Sequence, residues 1–244
     1  MSICNLCLRE NLKLVDSHII PKAFYRKCEK GVNSTILSAN GYPEKSRQGI
    51  YDQIVCADCE KSFGPWDDYA ARLLKQHRPD REITRQDDNS LLGYEYSDVD
   101  YDKLKMFFLS LLWRAHASGK GFFSDFNLSD DLARELSEIV RSGLIPPAQE
   151  WAVFVGKSDQ DISTVLVQPL FEEVGNAVFA VIYLPGYVVH IKLNDGQIPD
   201  NFIFNLLYPG TGLMAYFYDF VARGEQARAH EMVRVNLDKI RGKK

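Results

Sequence analysis

Apolar and polar positions change rhythm twice along this chain, and the changes divide it. Up to about residue 76 the apolar runs are short. Leu12 to Asp16 alternates as a strand would, with Ser17-His18 ending it, and Ile50 to Val55 reads as a second strand. Pro21 opens a helical turn that Lys22 to Cys28 continue. Residues 29–50 scatter Gly, Asn, Ser and Pro around a strand-like Thr35-Ile36-Leu37, a long insertion of the kind that serves as a binding or mobile element. Beyond Cys59 the spacing turns helical. Gly64-Pro65-Trp66 interrupts near the start, and Asp67 to Gln76 then carries apolar residues at helical intervals, acidic early and with Arg72 and Lys75 late. Residues 78–98 are rich in Arg, Asp, Gln and Asn, broken only by Leu91 to Tyr94, and are expected to form the junction between two domains.

From residue 99 the pattern is more apolar. Asp100 to His116 predicts a helix of about four turns, started by Asp100 or Asp102 and ended at Ser118-Gly119. It is too short, and too charged at both ends, to cross a membrane, and is expected to be a central core helix. A second helix runs from Ser129 through Val140 and stops at Gly143 and Pro146-Pro147. Strand-like runs follow at 151–155, 162–167, 177–184 and 187–193, the last two joined by Leu184-Pro185-Gly186-Tyr187, which has type II turn chemistry. His190 should lie on a face of that sheet. Residues 202–207 suggest another strand, 226–240 a final helix and 241–244 a basic tail. The expectation is an α+β protein in two parts. Residues 1–90 form a small module, and residues 99–244 form a domain with an antiparallel sheet packed on the helix at 101–117.

Composition changes this picture little; charge changes it more. The 244 residues are 45% apolar, ordinary for a globular chain, with net charge −4. Residues 1–86 hold 14 Lys and Arg against 11 Asp and Glu, and the remainder 15 against 22. That is not the strongly basic footprint of a stable DNA-binding protein. It leaves weak nucleic-acid contact, contact confined to Lys22, Arg26, Lys27, Lys30, Lys45 and Arg47, or none. Met1-Ser2-Ile3-Cys4 opens no apolar signal stretch, which points to a cytoplasmic, reducing setting.

The cysteines supply the chemistry. Four of five fall into two pairs, Cys4-x-x-Cys7 and Cys56-x-x-Cys59, leaving Cys28 alone as an ordinary thiol. Each pair turns two sulfurs toward one point, and two pairs make the four thiolates of a structural zinc site, in a zinc ribbon or treble clef. A thioredoxin-like redox site would need one pair beside a βαβ pattern, which is missing. Zinc would fold the intervening loop and set where His18 points. Histidine's ordinary pKa of about 6.5 suits a general base. Asp16, Asp52, Glu60 and the Asp67-Asp68 pair are carboxylates that such folding could bring to it, as ligands for a hard divalent cation. The plainer alternative makes His18 a hydrogen-bonding residue and Glu60 a favourable charge in the first turn of a helix. His77 and His116 carry little functional weight.

The order Cys4-x-x-Cys7, Ser17-His18-Ile19-Ile20-Pro21, Cys56-x-x-Cys59-Glu60 resembles the zinc-supported HNH, or His-Me finger, endonucleases over about the first third of the chain. The resemblance implies a ββα unit within a treble clef. Cys4, Cys7, Cys56 and Cys59 match the zinc ligands and His18 the general base. Glu60 falls where the family often carries a ligand to a catalytic Mg²⁺ or Mn²⁺. Departures accompany the match. Ser17 stands where the family often has Asp, with Asp16 one place earlier, and Tyr51 and Asp52 stand where an Asn is usual. The wording around these motifs is similar to a divergent bacterial or phage branch.

Three readings follow. The first is a metal-dependent endonuclease acting on DNA, with His18, Glu60 and Asp16 as catalytic residues, in defence against foreign DNA or in a mobile element. The second is a zinc-stabilised nucleic-acid-binding module whose hydrolytic centre has decayed. The third is an interaction protein that binds a protein partner through residues 99–244. No reading calls for a membrane.

Overall fold

The computed structural model describes residues 2–24, 34–37, 44–46, 49–123, 126–158, 165–198 and 200–218. The expected helix at 226–240, the basic tail, Cys28, Arg26, Lys27, Lys30 and Arg47 lie outside them. The first strand, β1 (Leu14–His18), ends on His18. A single 3-10 turn follows at Lys22–Phe24. The insertion between the cysteine pairs contributes β2 (Ser34–Leu37) and β3 (Glu44–Ser46). Next, β4 (Tyr51–Cys56) runs without a break into α1 (Ala57–Ala71). Gly64-Pro65 does not interrupt this helix: Pro65 sits inside it, on the exposed side. Its last turn widens to π geometry over Arg72–Gln76.

The polar stretch expected to be a junction is a β-hairpin, β5 (Arg81–Thr84) and β6 (Leu91–Tyr96). Its turn holds Asn89 at φ 56°, and an Arg81–Glu95 ion pair crosses it. Strand β5 is an edge, exposed along most of its length, so Arg-Glu-Ile-Thr needs no apolar alternation. Helix α2 (Tyr101–Ala117) starts where expected, the Asp100 carboxylate accepting from Lys103 N–H at 3.0 Å. Helix α3 (Asp130–Ser142) is capped by Ser129 and ends at Gly143, whose φ of +70° is the left-handed geometry that favours glycine.

Strands β7 (Val153–Ser158), β8 (Val165–Val167), β9 (Leu170–Val174), β10 (Ala177–Leu184), β11 (Tyr187–Lys192) and β12 (Leu213–Tyr218) complete the described elements. Seven strands form one sheet in the order β5-β6-β12-β7-β11-β10-β9. The sheet is mixed rather than antiparallel, because β12 lies parallel to β7 while its other neighbours alternate. The strand anticipated at 202–207 is a 3-10 segment, Asp200–Asn205, and the strand in that region is β12 instead. At Gly93 a Cβ would meet the Ala215 carbonyl oxygen at 2.5 Å, so β6 and β12 close together only because that position has no side chain. The β10–β11 hairpin turns on Gly186 at φ +84°, as the Pro-Gly pair anticipates.

Helix α2 is the hub. Thirteen of its 17 residues are buried, including Lys105 and Arg114. Phe107 stacks on Phe24 with ring centroids 5.3 Å apart, Trp113 meets Phe63 at 6.1 Å, and the Trp113 indole donates to Ser137 Oγ at 2.8 Å. One continuous apolar core therefore reaches from Cys4 and Leu6, across α1 and α2, to Leu213 and Ala215. A second contact couples the two halves: β2 of the insertion pairs in parallel with β8. The molecule is α+β, with three α-helices among the described residues. None is long and apolar enough to cross a membrane.

Candidate metal centre and His18

Strand pairing brings the cysteines together. Strands β1 and β4 run antiparallel with Leu14 opposite Cys56, so the start of the chain lies beside the end of β4. The turn at Cys4–Cys7 is anchored to that end, Asn5 N–H donating to the Ile54 carbonyl at 2.9 Å. Cys56 stands at the N-cap of α1 without capping it by its side chain, and Cys59 follows in the first turn. All four sulfurs lie within 4.8 Å of one another. Cys4 and Cys59 are 3.7 Å apart, and Cys7 and Cys56 3.9 Å. A tetrahedron of sulfurs about 2.3 Å from a central zinc has edges of about 3.8 Å. The four cysteines could thus hold a metal ion such as zinc, and the spacing suits that ion closely.

Their surroundings favour thiolates. Cys56 N–H donates to Cys4 Sγ at 3.3 Å. Arg9, which sequence reasoning passed over, donates to Cys7 Sγ at 3.4 Å and Cys56 Sγ at 3.8 Å, and is itself held by Asp58 at 3.0 Å. Burial resists ionisation of the Cys7 thiol, but the Arg9 hydrogen bonds outweigh it and draw the pKa down to about 6. Burial and the neighbouring sulfurs push Cys59 the other way. Four like charges this close need a cation at their centre, and Arg9 supplies only one positive charge at the rim.

His18 sits at the opposite end of the hairpin, paired with Tyr51, whose ring lies 3.9 Å from its own. Helix α1 packs back across both strands. From Cys56 to Tyr51 is roughly 16 Å of strand at about 3.3 Å per residue. At about 1.5 Å per residue the helix covers a similar length by Asp67, but only about 6 Å by Glu60. Asp67 is therefore the helical carboxylate level with His18, and Glu60 stays nearer the sulfurs. Arg114 of α2 makes the link. Wholly buried, it grips Asp67 with two hydrogen bonds of 2.7 and 3.0 Å and donates to the His18 carbonyl at 3.0 Å. A lone Arg within Leu111-Leu112-Trp113-Arg114-Ala115 was the signal that a buried partner existed.

The other candidates are placed as follows. Asp16 occupies a bulge between Val15 and Ser17, exposed, its carboxylate accepting from the Gln53 side-chain amide at 3.1 Å. Asp52 accepts from Ser118 Oγ and Gly119 N–H, both at 2.9 Å, which ties the hairpin to the end of α2. His18 Nε2, Ser17 Oγ and Glu60 Oε2 are buried without a hydrogen-bond partner among the described residues. Burial first, then Arg114 and Lys22, pushes the His18 pKa below its ordinary value, with Asp67 opposing. Among the described residues, the four cysteines are the one group of three or more His, Cys, Asp or Glu side chains placed to hold an ion. Two further histidines are engaged elsewhere: His116 Nδ1 accepts from Leu128 N–H at 3.2 Å, and His190 meets Glu172 at 3.0 Å on the sheet face.

No family model, curated protein or solved structure matches this chain.

Proposed function

We propose that Cys4, Cys7, Cys56 and Cys59 bind one zinc ion shaping a treble-clef-like ββα unit, and that His18 in this unit is the general base of an endonuclease acting on DNA. His18 carries the reading. Its imidazole ends the first strand, is biased toward the neutral form, and keeps a ring nitrogen that meets no partner. A neutral imidazole with a free nitrogen can take the proton of a water attacking a phosphodiester. Tyr51 against the ring and Arg114 on the backbone would hold it in place. A hard divalent cation, Mg²⁺ or Mn²⁺, supplies charge neutralisation at the phosphate when bound. Such a cation asks for one or two protein oxygens beside water and phosphate; the helical carboxylate level with His18 is Asp67, while Glu60, the residue the family resemblance points to, lies nearer the sulfurs.

A second reading has its own support. His18 Nε2 has no exposed surface, and Asp16, Asp52 and Asp67 are each already engaged by protein donors. Those facts favour a zinc-stapled binding module without hydrolytic activity. Cleavage assays of the zinc-loaded chain on single- and double-stranded DNA, with Mg²⁺ or Mn²⁺, separate the two. The first reading expects nicking that stops when the added cation is withdrawn and falls about a hundredfold or more in His18→Ala. An intact, zinc-replete wild type that cuts nothing, and whose DNA binding His18→Ala leaves unchanged, establishes the second.

A further inference from the structure

The four sulfurs are not equivalent. Cys4 and Cys56 are buried, whereas Cys7 and Cys59 each keep part of their surface. Three of the four accept a hydrogen bond from nitrogen. Cys56 N–H donates to Cys4 at 3.3 Å, and Arg9 donates through Nε to Cys7 and through Nη2 to Cys56. Cys59 accepts none from the described residues, and Cys4 Sγ lies beside it at 3.7 Å. Arg9 is committed to Cys7, Cys56 and the Asp58 carboxylate.

A metal-bound thiol is held deprotonated, so the reactivity of each sulfur depends on what else draws on its electrons and on what can reach it. An N–H donor withdraws density and lowers nucleophilicity, and burial blocks approach. Burial shields Cys4 and Cys56, and Arg9 damps Cys7. Among the four, Cys59 alone combines access with a sulfur that no described N–H engages. We propose that Cys59 is the sulfur at which hydrogen peroxide attacks this centre, ending in a Cys4–Cys59 disulfide and release of the ion. The inference rests on the zinc reading above. Cys59 Sγ takes one peroxide oxygen: an S–O bond forms, the O–O bond breaks, and hydroxide leaves a sulfenic acid behind. Cys4 Sγ then attacks Cys59 Sγ, the S–S bond forming as the S–O bond breaks and a second hydroxide departs. Two thiolates have given up two electrons, and one peroxide has become two hydroxides. The sulfurs need close only from 3.7 Å to about 2 Å. With two of its four ligands gone the ion is lost, while the new bridge still ties the start of the chain to α1.

The test uses the full chain, with Cys28→Ser in every form so that no thiol outside the centre competes. Elemental analysis comes first: a chain without zinc overturns the zinc reading and this inference together. Limiting hydrogen peroxide is then added to the zinc-loaded chain, with released zinc followed by a chromogenic chelator and the bridge located by peptide mapping. Zinc should leave in proportion to a Cys4–Cys59 disulfide, and dithiothreitol with added zinc should restore the site. Limiting iodoacetamide should label Cys59 ahead of Cys4, Cys7 and Cys56. Cys59→His keeps four ligands of a kind zinc accepts and should slow peroxide-driven release about tenfold or more. Arg9→Ala should bring Cys7 into the labelled set and add a Cys7–Cys56 bridge, those sulfurs being 3.9 Å apart. Should Cys59→His fail to fold, the order of labelling in the chain that keeps Cys59 decides alone. A zinc-replete chain whose first label or bridge falls on Cys7, or whose label spreads evenly over the four, overturns this inference and leaves the zinc reading standing.

Discussion

Helices α1 and α2 lie against each other, are of similar length, and are held by opposite means. In α2, 13 of 17 residues are buried; in α1, 3 of 15. The first is fixed by apolar contact on nearly every side, so its geometry follows from hydrophobic burial. The second presents Asp58, Lys61 and Asp68 to solvent and gains little that way. Its start is fixed by four sulfurs converging from two distant stretches, and its far end by one buried arginine reaching across from α2. A short polar ββα unit thus relies on a borrowed ion pair and on four sulfurs placed to share an ion, while its neighbour needs neither.

That contrast makes the largest expected effect the removal of the ion. Structural zinc in small thiolate sites is worth about 10–16 kcal/mol at pH 7. Cys56→Ser should lose the metal by elemental analysis and release amide protection in β1, β4 and α1, while β10 and β11 stay protected. Simultaneous loss across both regions would show that the sheet depends on the cross-link too. The apolar side should respond to truncation instead. Phe108→Ala, at a fully buried position, should lower unfolding free energy by about 3–5 kcal/mol in a denaturant titration without changing zinc content.

Arg114 tests the seam between the two. Arg114→Ala leaves the half-buried Asp67 without its partner and should destabilise by about 3–5 kcal/mol, whereas Arg114→Leu combined with Asp67→Leu should recover much of that. A double variant as unstable as the single would assign the effect to lost packing over Phe63, 4.9 Å from the guanidinium, rather than to a stranded charge. A smaller effect is expected at Arg9, whose hydrogen bonds to Cys7 and Cys56 are on the surface. Arg9→Ala should weaken zinc binding by about 10–100-fold in a chelator competition, with the fold kept.

The smallest effect is on pH dependence. His18 and His116 both have lowered pKa values, burial being the first cause in each. The unfolded chain therefore binds more protons once pH falls below about 6.5, so stability should drop on acidification from there and be fully present above it. Imidazole NMR should show both rings titrating below the ordinary value, and His18→Gln should shallow the slope of stability against pH. A normal titration for His18 would remove its bias toward the neutral base form.

Much of this was legible where a local rule acts alone. Asp100 and Ser129 cap the helices their spacing predicts, Gly143 ends α3, and Pro185-Gly186 turns the β10–β11 hairpin. The cysteine pairs were readable because two Cys-x-x-Cys turns in one short module have few uses other than holding a metal. The hairpin of β5 and β6 was not, because an edge strand needs no apolar alternation. Nor was β12, whose place between β6 and β7 makes the sheet mixed. Leu213 to Tyr218 could pair with several partners, and only the whole sheet selects one. Arg9 carried no signal of its own, since an arginine near a cysteine is usually only a solvated charge, and Asp67 was one of several candidate carboxylates that nothing local told apart.

By itself the sequence determined the caps, the tight turns, the apolar helix at the centre and the four cysteines that could hold an ion. Each of these depends on side chains within a few residues of one another, or on a residue type with a single dominant chemistry. The tertiary structure alone decided that the sulfurs meet within 4.8 Å, that Asp67 stands level with His18, and that Arg114 joins them. It also decided that an unpaired Lys157 comes to rest on Tyr187. Those distances are set by strand register and by the way α1 folds back across the hairpin. Register is fixed only when every strand and helix settles into one core at once.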